Sequence, residues 1–196
     1  MGCNGYDKNH SVIYRLINGK GNIKEYNDYG GLKFEGEYLN GKRNGRGKEY
    51  RCGELTFEGE YLDGEKKGKG KEYDLDGKLE FEGEYLNDKR NGIGKEYKKG
   101  ILIFEGEYKN NEKYKGQFFK NGTLEFEGEF KLGEKWNGKG YDKNGKIIYE
   151  LINGNGNKKE YDDDGDLKFE GEYKDGKRNG KGKEYWHGKL EFKENI

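Results

Sequence analysis

Gly36 and the pair Gly41-Lys42 stand at the spacing of a phosphate-binding loop, in which backbone amides cradle phosphates and a lysine reaches the outermost one. The match fails twice. Arg43 occupies the place where a serine or threonine must bind magnesium, and Gly36 lies inside an alternating run instead of in a loop before a helix. Asp162, Asp164 and Gly165 begin like a calcium loop, but the later ligands and the closing bidentate glutamate are missing, so the segment reads as a turn. His10 and His187 are the only histidines, and neither has a nucleophile pattern around it, so both read as surface residues. Cys3 and Cys52 form neither a disulfide framework nor a metal spacing, and they fit a reducing compartment. Met-Gly-Cys hints at N-terminal lipidation, yet Tyr6 stands where a myristoylation signal needs serine or threonine. No catalytic residue, metal or cofactor is expected.

What does recur with chemical potential is a set of basic pairs: Lys42 and Arg43, Lys66 and Lys67, Lys89 and Arg90, Lys177 and Arg178. If hairpins stack with strands roughly 4.8 Å apart, such pairs return about every 10 Å along one edge. A ladder of that kind suits the phosphates of an anionic membrane surface or an acidic protein partner, at about 1 kcal/mol per basic group near anionic lipid. The competing role is solubility and protection of a thin sheet's edge. Interleaved glutamates argue against a nucleic-acid groove, and no nucleic acid is expected.

The elements that must position these pairs follow from composition and pattern. Isoleucine, leucine, valine and phenylalanine make up about 18% of the 196 residues, below the usual floor for a globular chain. Against disorder stand a formal net charge of zero, from 39 basic and 39 acidic residues, and 17 tyrosines that supply apolar area. The core should therefore be aromatic. With 36 glycines and neither proline nor alanine, helix is not expected to dominate. No apolar run approaches a signal core or a membrane span, which predicts a soluble cytoplasmic protein, at most peripheral to membrane or cytoskeleton.

The run LKFEGEY at 32–38 alternates with period two, setting Leu32, Phe34, Gly36 and Tyr38 on one face and Lys33, Glu35 and Glu37 on the other. Its phenylalanine returns as Phe57, Phe81, Phe104, Phe126 and Phe169, with Tyr149 in the same slot, at spacings of 20 to 24 residues. Each unit reads as this strand, a polar turn such as LNGKRN at 39–44, and a second extended run such as GRGKEY at 45–50. The expected fold is all-β, a single-layer elongated antiparallel meander of stacked β-hairpin repeats. It forms a single array over 1–196, with units starting near 14, 34, 57, 81, 104, 126, 149 and 169 and a terminal strand at 190–196. The strand glycines should leave room for a neighbouring ring over bare backbone, and Glu35 and Glu37 should pair across strands with Arg46 and Lys48. Strict alternation sets Tyr50 with Lys48, unless a bulge intervenes. Residues 6–50 match 141–185 at an offset of 135 without a gap, so the array has the look of a copied block.

The motif F-E-G-E-Y-x-N-G-K-x-x-G-x-G resembles the MORN repeat, with Phe34, Gly36, Tyr38, Gly41, Lys42, Gly45 and Gly47 on its motif positions and Phe169, Gly171, Tyr173, Gly176, Lys177, Gly180 and Gly182 repeating them. The tail KEYxxxGxL is similar to the variant of bacterial antitoxin-like proteins. Asp88 departs by replacing the turn glycine, and the unit at Phe104 lacks the glycine pair, carrying Tyr114, Gly116 and Phe118 instead. The resemblance implies a curved single-layer sheet and a role in membrane tethering, cytoskeletal scaffolding or oligomerisation, or as an accessory segment of an enzyme.

A single-layer sheet should cover its aromatic row poorly, and exposed apolar stripes mark interaction surfaces. Phe34, Tyr38, Phe57, Tyr61, Phe81, Tyr85, Phe104, Tyr108, Phe126, Phe130, Phe169 and Tyr173 are therefore the candidate interaction face. The leading expectation is a non-enzymatic scaffold that binds a protein partner or itself. Anionic-lipid binding through the basic turns, or service as an accessory array of a larger enzyme, are the alternatives.

Overall fold

Two-residue turns set the architecture. At Asn40-Gly41 both residues have positive φ, 52° and 77°, and Cys52-Gly53 repeats this with 54° and 89°. That backbone twist matches the twist of the flanking strands, so each turn sends the chain straight back beside itself. The computed structural model describes residues 2–6, 12–162, 164–187 and 189–195, and among them every regular element is a strand. His10 and Ile196 lie outside the described residues.

The chain divides into two units, Met1–Leu102 with Tyr108–Asn111, and Ile103–Glu107 with Glu112–Ile196. In the first, β1 (Gly2–Tyr6) pairs with β2 (Val12–Ile17). Then β3 (Gly21–Tyr26), β4 (Leu32–Leu39), β5 (Lys42–Arg51), β6 (Glu54–Leu62), β7 (Glu65–Tyr73), β8 (Leu79–Leu86) and β9 (Lys89–Lys98) follow one another as antiparallel neighbours. β10 (Ile101–Lys109) supplies residues to both units. In the second, β11 (Glu112–Lys120), β12 (Thr123–Lys131), β13 (Glu134–Tyr141) and β14 (Ile147–Leu151) run in the same manner. A four-stranded sheet of β15 (Gly156–Tyr161), β16 (Leu167–Lys174), β17 (Lys177–Trp186) and β18 (Lys189–Asn195) completes it. This is the expected all-β meander of stacked hairpins.

The turn is shorter than the sequence implied. Lys42 and Arg43 belong to β5, not to a six-residue loop at 39–44, because Leu39 pairs directly with Lys42 and Tyr38 with Arg43. The extra residues of β5 are absorbed as a bulge between Gly36 and Tyr38. Consecutive turns are also joined to each other: Gly64 N–H donates to Arg43 O at 2.9 Å, Asn111 N–H to Arg90 O at 2.9 Å, and Gly176 N–H to Gly154 O at 2.9 Å. Asp88, which departs from the motif, donates its N–H to Lys66 O at 3.2 Å and accepts Lys66 N–H on Oδ1 at 2.9 Å. Its carboxylate gives the turn a second link that glycine would lack.

Candidate functional site

The glycines of the first unit line up in register. Gly36 faces Gly47, Gly47 faces Gly59, Gly59 faces Gly70, Gly70 faces Gly83 and Gly83 faces Gly94. On one side of this row lie the phenylalanine rings. A Cβ at Gly47 would stand 2.5 Å from Phe34 Cζ, and one at Gly36 would stand 2.6 Å from Gly47 Cα and 2.7 Å from Phe34 Cζ. The rings are seated on bare backbone, as the sequence implied.

Their exposure is corrected by the structure. Phe34, Phe57, Phe81, Phe104, Phe126 and Phe169 are 0 or 1% exposed; Tyr61, Tyr85, Tyr108, Phe130 and Tyr173 are buried too, and Tyr38 is half-buried. Two devices cover the row. Rings meet the next repeat edge-on at Phe34, 5.3 Å from Tyr61, at Phe57, 5.2 Å from Tyr85, and, in the second unit, at Phe104, 5.4 Å from Phe130, whereas Phe126 stacks on Tyr149 at 6.4 Å. A cation then lies over each ring: Arg43 at 4.0 Å from Phe34, Lys66 at 3.8 Å from Phe57, Arg90 at 4.2 Å from Phe81 and Arg178 at 3.9 Å from Phe169.

The cations are tied down by glutamates on the same face. Arg43 donates Nε and Nη2 to the two oxygens of Glu25 at 2.9 Å each, and Nη1 to Glu49 at 2.9 Å. Lys66 pairs with the other Glu49 oxygen at 2.9 Å, and Arg90 pairs with Glu72. Tyr38, Tyr85 and Tyr108 donate their hydroxyls to Glu25, Glu72 and Glu96. Arg43 donation holds the Glu25 carboxyl below its ordinary range against the opposing effect of burial, with Tyr38 adding to it. Burial and the Glu25 hydrogen bond push the Tyr38 phenol up to about 12. In the second unit burial raises the Glu160 carboxyl, but hydrogen bonds from Tyr173 and Arg178 outweigh it and bring the group down to about 2.

The eight basic residues thus divide. Arg43, Lys66, Arg90 and Arg178 are half-buried covers of the aromatic row, whereas Lys42, Lys67, Lys89 and Lys177 are exposed at the turn edge. Glu49, Glu72 and Glu25 were not singled out from the sequence. The pairing of Phe34 with Glu49 shows the signal: counted back from Gly47 and Gly36, the glutamate of KEY shares the ring face.

The opposite face is built from what remains. Across β3 to β9 a single row alternates in sign, Lys24, Glu35, Lys48, Glu58, Lys71, Glu82, Lys95, each residue opposite the next. Tyr50, Tyr73 and Tyr97 stand here, as strict alternation predicts, donating to Glu35, Glu58 and Glu82 at 2.6, 2.7 and 2.8 Å. A parallel row holds Glu37, Arg46, Glu60, Lys69, Glu84 and Ile93. Here the expected Glu37 to Arg46 ion pair gives way to a backbone contact, the Glu37 carboxylate accepting Arg46 N–H at 3.0 Å, and Glu84 accepts Ile93 N–H at 2.9 Å. Between the rows the uncovered side of the glycines forms the floor of a trough of about 1120 Å³. From β3 to β9 it crosses six strand intervals, roughly 29 Å.

Among the described residues no group of three or more His, Cys, Asp or Glu side chains is placed to hold a metal ion. No helix among them is long and apolar enough to cross a membrane. Asp162 Oδ1 accepts Asp164 and Asp166 N–H at 3.1 and 2.8 Å, which makes that segment a self-bonded turn. His187 is exposed beside Trp186, with φ 45°.

Comparison with curated proteins gives no match. The family description MORN repeat matches residues 34–52, 57–78, 81–100 and 169–189. Each matched segment contains a covered phenylalanine, its glycines and a cation over the ring, and at these four places the chain consists of MORN repeats.

Proposed function

We propose that the protein is a non-enzymatic repeat scaffold for protein–protein contact, and that its docking surface in the first unit is the glycine-floored trough. One observation carries the reading: Arg46 and Lys69 line the trough with no ion pair among the described residues, beside the glycines of its floor, and Lys48 joins them between Glu35 and Glu58. The aromatic row supports the scaffold from behind instead of presenting itself to a partner. A second copy of the chain or an extended segment of another protein with alternating charge suits this surface. The test is capture from native cells with the wild type and with Arg46→Glu/Lys69→Glu. Partner capture by the wild type and its loss in the folded variant are expected; equal capture moves the surface elsewhere. A strictly monomeric protein by light scattering, with no enriched partner, overturns the scaffold reading itself.

A second reading is favoured by one feature of the turn edge. Leu39, Leu62 and Leu86 are 40, 41 and 42% exposed beside the exposed Lys42 and Lys89, a pairing suited to an anionic lipid surface. Flotation with anionic vesicles tests it, and salt-insensitive binding counts against it. Either role is compatible with an accessory array of a larger enzyme, and with a place in the cytoplasm, at a membrane or on the cytoskeleton.

A further inference from the structure

The charges that face the trough have a pitch. Lys24, Lys48, Lys71 and Lys95 stand on every second strand, each directly opposite a glutamate of the strand between. Neighbouring strands lie about 4.8 Å apart, so these lysines recur about every 9.6 Å across the sheet.

The glutamates between them are already engaged. Glu35, Glu58 and Glu82 accept the hydroxyls of Tyr50, Tyr73 and Tyr97, and in the parallel row Glu37 and Glu84 are turned onto backbone N–H groups. The cations are less committed. Lys24 and Lys71 reach Glu35 and Glu82 only at 3.5 and 3.9 Å, with side chains 54 and 48% exposed. An ammonium carries three donors, so one long ion pair leaves capacity to spare. Arg46 and Lys69 form no ion pair among the described residues. The trough therefore holds cationic donors in reserve, at a fixed period, above a floor without side chains.

Few backbones carry acids at that period. An extended strand repeats a face about every 6.7 Å, which matches neither one step nor two. In an α-helix seven residues rise about 10.5 Å and stop short of two full turns, so three steps from Lys24 to Lys95 leave it almost 3 Å out of register. A polyproline II helix has three residues per turn and rises about 9.3 Å in that turn, so the same three steps leave it only about 1 Å out. Its side chains return to one face at each turn, and its backbone is already ordered before binding. Nine or ten such residues span the roughly 29 Å of the trough.

We infer that the trough takes a proline-rich segment in the polyproline II conformation with an acidic residue at every third position, its carboxylates on the Lys24 to Lys95 row and its proline rings over the glycine floor. The inference rests on the trough being the docking surface, and it narrows the extended partner to one backbone and one charge period.

The test uses the full chain and fluorescent twelve-residue peptides, with binding read by anisotropy. The first peptide is four repeats of Pro-Pro-Glu. The second has the same composition with its glutamates grouped at one end, the third has lysine for each glutamate, and the fourth is an alanine-based helix with as many glutamates. The periodic peptide is expected to bind roughly tenfold more tightly than each of the others. Lys48→Glu/Lys71→Glu should abolish that binding. Lys99→Glu/Lys143→Glu, the same change of charge at exposed turn residues, should leave it unchanged, and circular dichroism checks that both variants fold. Equal binding of the first two peptides, or binding of none, overturns the inference and leaves the docking surface standing on its own test with Arg46→Glu/Lys69→Glu. Periodic binding that survives Lys48→Glu/Lys71→Glu places the site elsewhere and overturns both.

Discussion

The Arg43 guanidinium lies 4.0 Å from the centre of the Phe34 ring while it is held in bidentate fashion by Glu25. A one-layer sheet has no second layer to close its core, and here the second layer is made of cations fixed by carboxylates. Arginine suits the task because its planar, weakly hydrated head lies flat on a ring and still offers donors at its rim.

Removing that cover should be costly. Arg43→Ala leaves Glu25 and Glu49 without their arginine and opens Phe34 to water, and a loss of about 2 kcal/mol is expected in urea unfolding. Arg43→Lys should lose less, since Lys66 serves over Phe57 at 3.8 Å in the wild type. A loss no larger than for the exposed Lys42→Ala would show that the cation covers nothing of consequence.

Glycine substitutions should split into two classes by position. Gly47→Ala drives a methyl to 2.5 Å from Phe34 Cζ, and a loss on the order of 3 kcal/mol is expected. Gly53→Ala meets nothing within 4 Å but sits at φ 89°, so only the backbone strain of about 1 kcal/mol should appear. Denaturation midpoints of the two variants decide between packing and strain as the reason for glycine in the strands.

The strand glycines and the Asn-Gly turns were legible because both are local: period two fixes the face, and positive φ fixes the turn. Gly36 and Phe34 needed no tertiary knowledge to be paired. The cover over Phe34 was not legible in that way. Reading LNGKRN as one long turn left Arg43 in solvent, whereas a two-residue turn at Asn40-Gly41 brings it onto the ring face. The trough was hidden for a related reason, since it consists of the absence of side chains on the reverse of Gly36, Gly47 and Gly59. Seeing it requires the register that sets these glycines opposite one another.

The turn that carries Asp88 gives a balanced test. Asp88 holds φ 63°, which strains a side-chain-bearing residue, yet its carboxylate accepts Lys66 N–H at 2.9 Å. Asp88→Ala keeps the strain and loses the acceptor, so about 1 kcal/mol of destabilisation is expected. Asp88→Gly loses the acceptor but relieves the strain, and should come out near the wild type. Thermal unfolding of the pair checks this; equal losses in both would assign the effect to the lost hydrogen bond alone, and an Asp88→Ala variant as stable as the wild type would remove that bond as the reason for the aspartate.

Stability should fall at both ends of the pH scale, for reasons of opposite sign. Glu160 is lowered to about 2, where hydrogen bonds from Tyr173 and Arg178 outweigh burial, and Glu170 to about 2 through donation from Lys183 and Tyr185. A carboxyl with a depressed folded value stabilises the fold above its ordinary value of 4.5 and ceases to do so as pH drops through about 2. Tyr38, Tyr50 and Tyr73 are raised from 10.0 to about 12, by burial first and then by their glutamate acceptors. For a raised group the contribution is complete below 10 and is lost as pH climbs through about 12, because the folded state must then hold a phenolate against a carboxylate. The urea midpoint should therefore hold level through neutral pH, decline from about 4.5 toward 2, and decline again from 10 toward 12. Tyr50→Phe and Tyr73→Phe should soften the alkaline limb and leave the acid limb nearly in place. An alkaline limb unchanged by both substitutions would mean that the tyrosine to glutamate bonds on the trough face do not persist in solution.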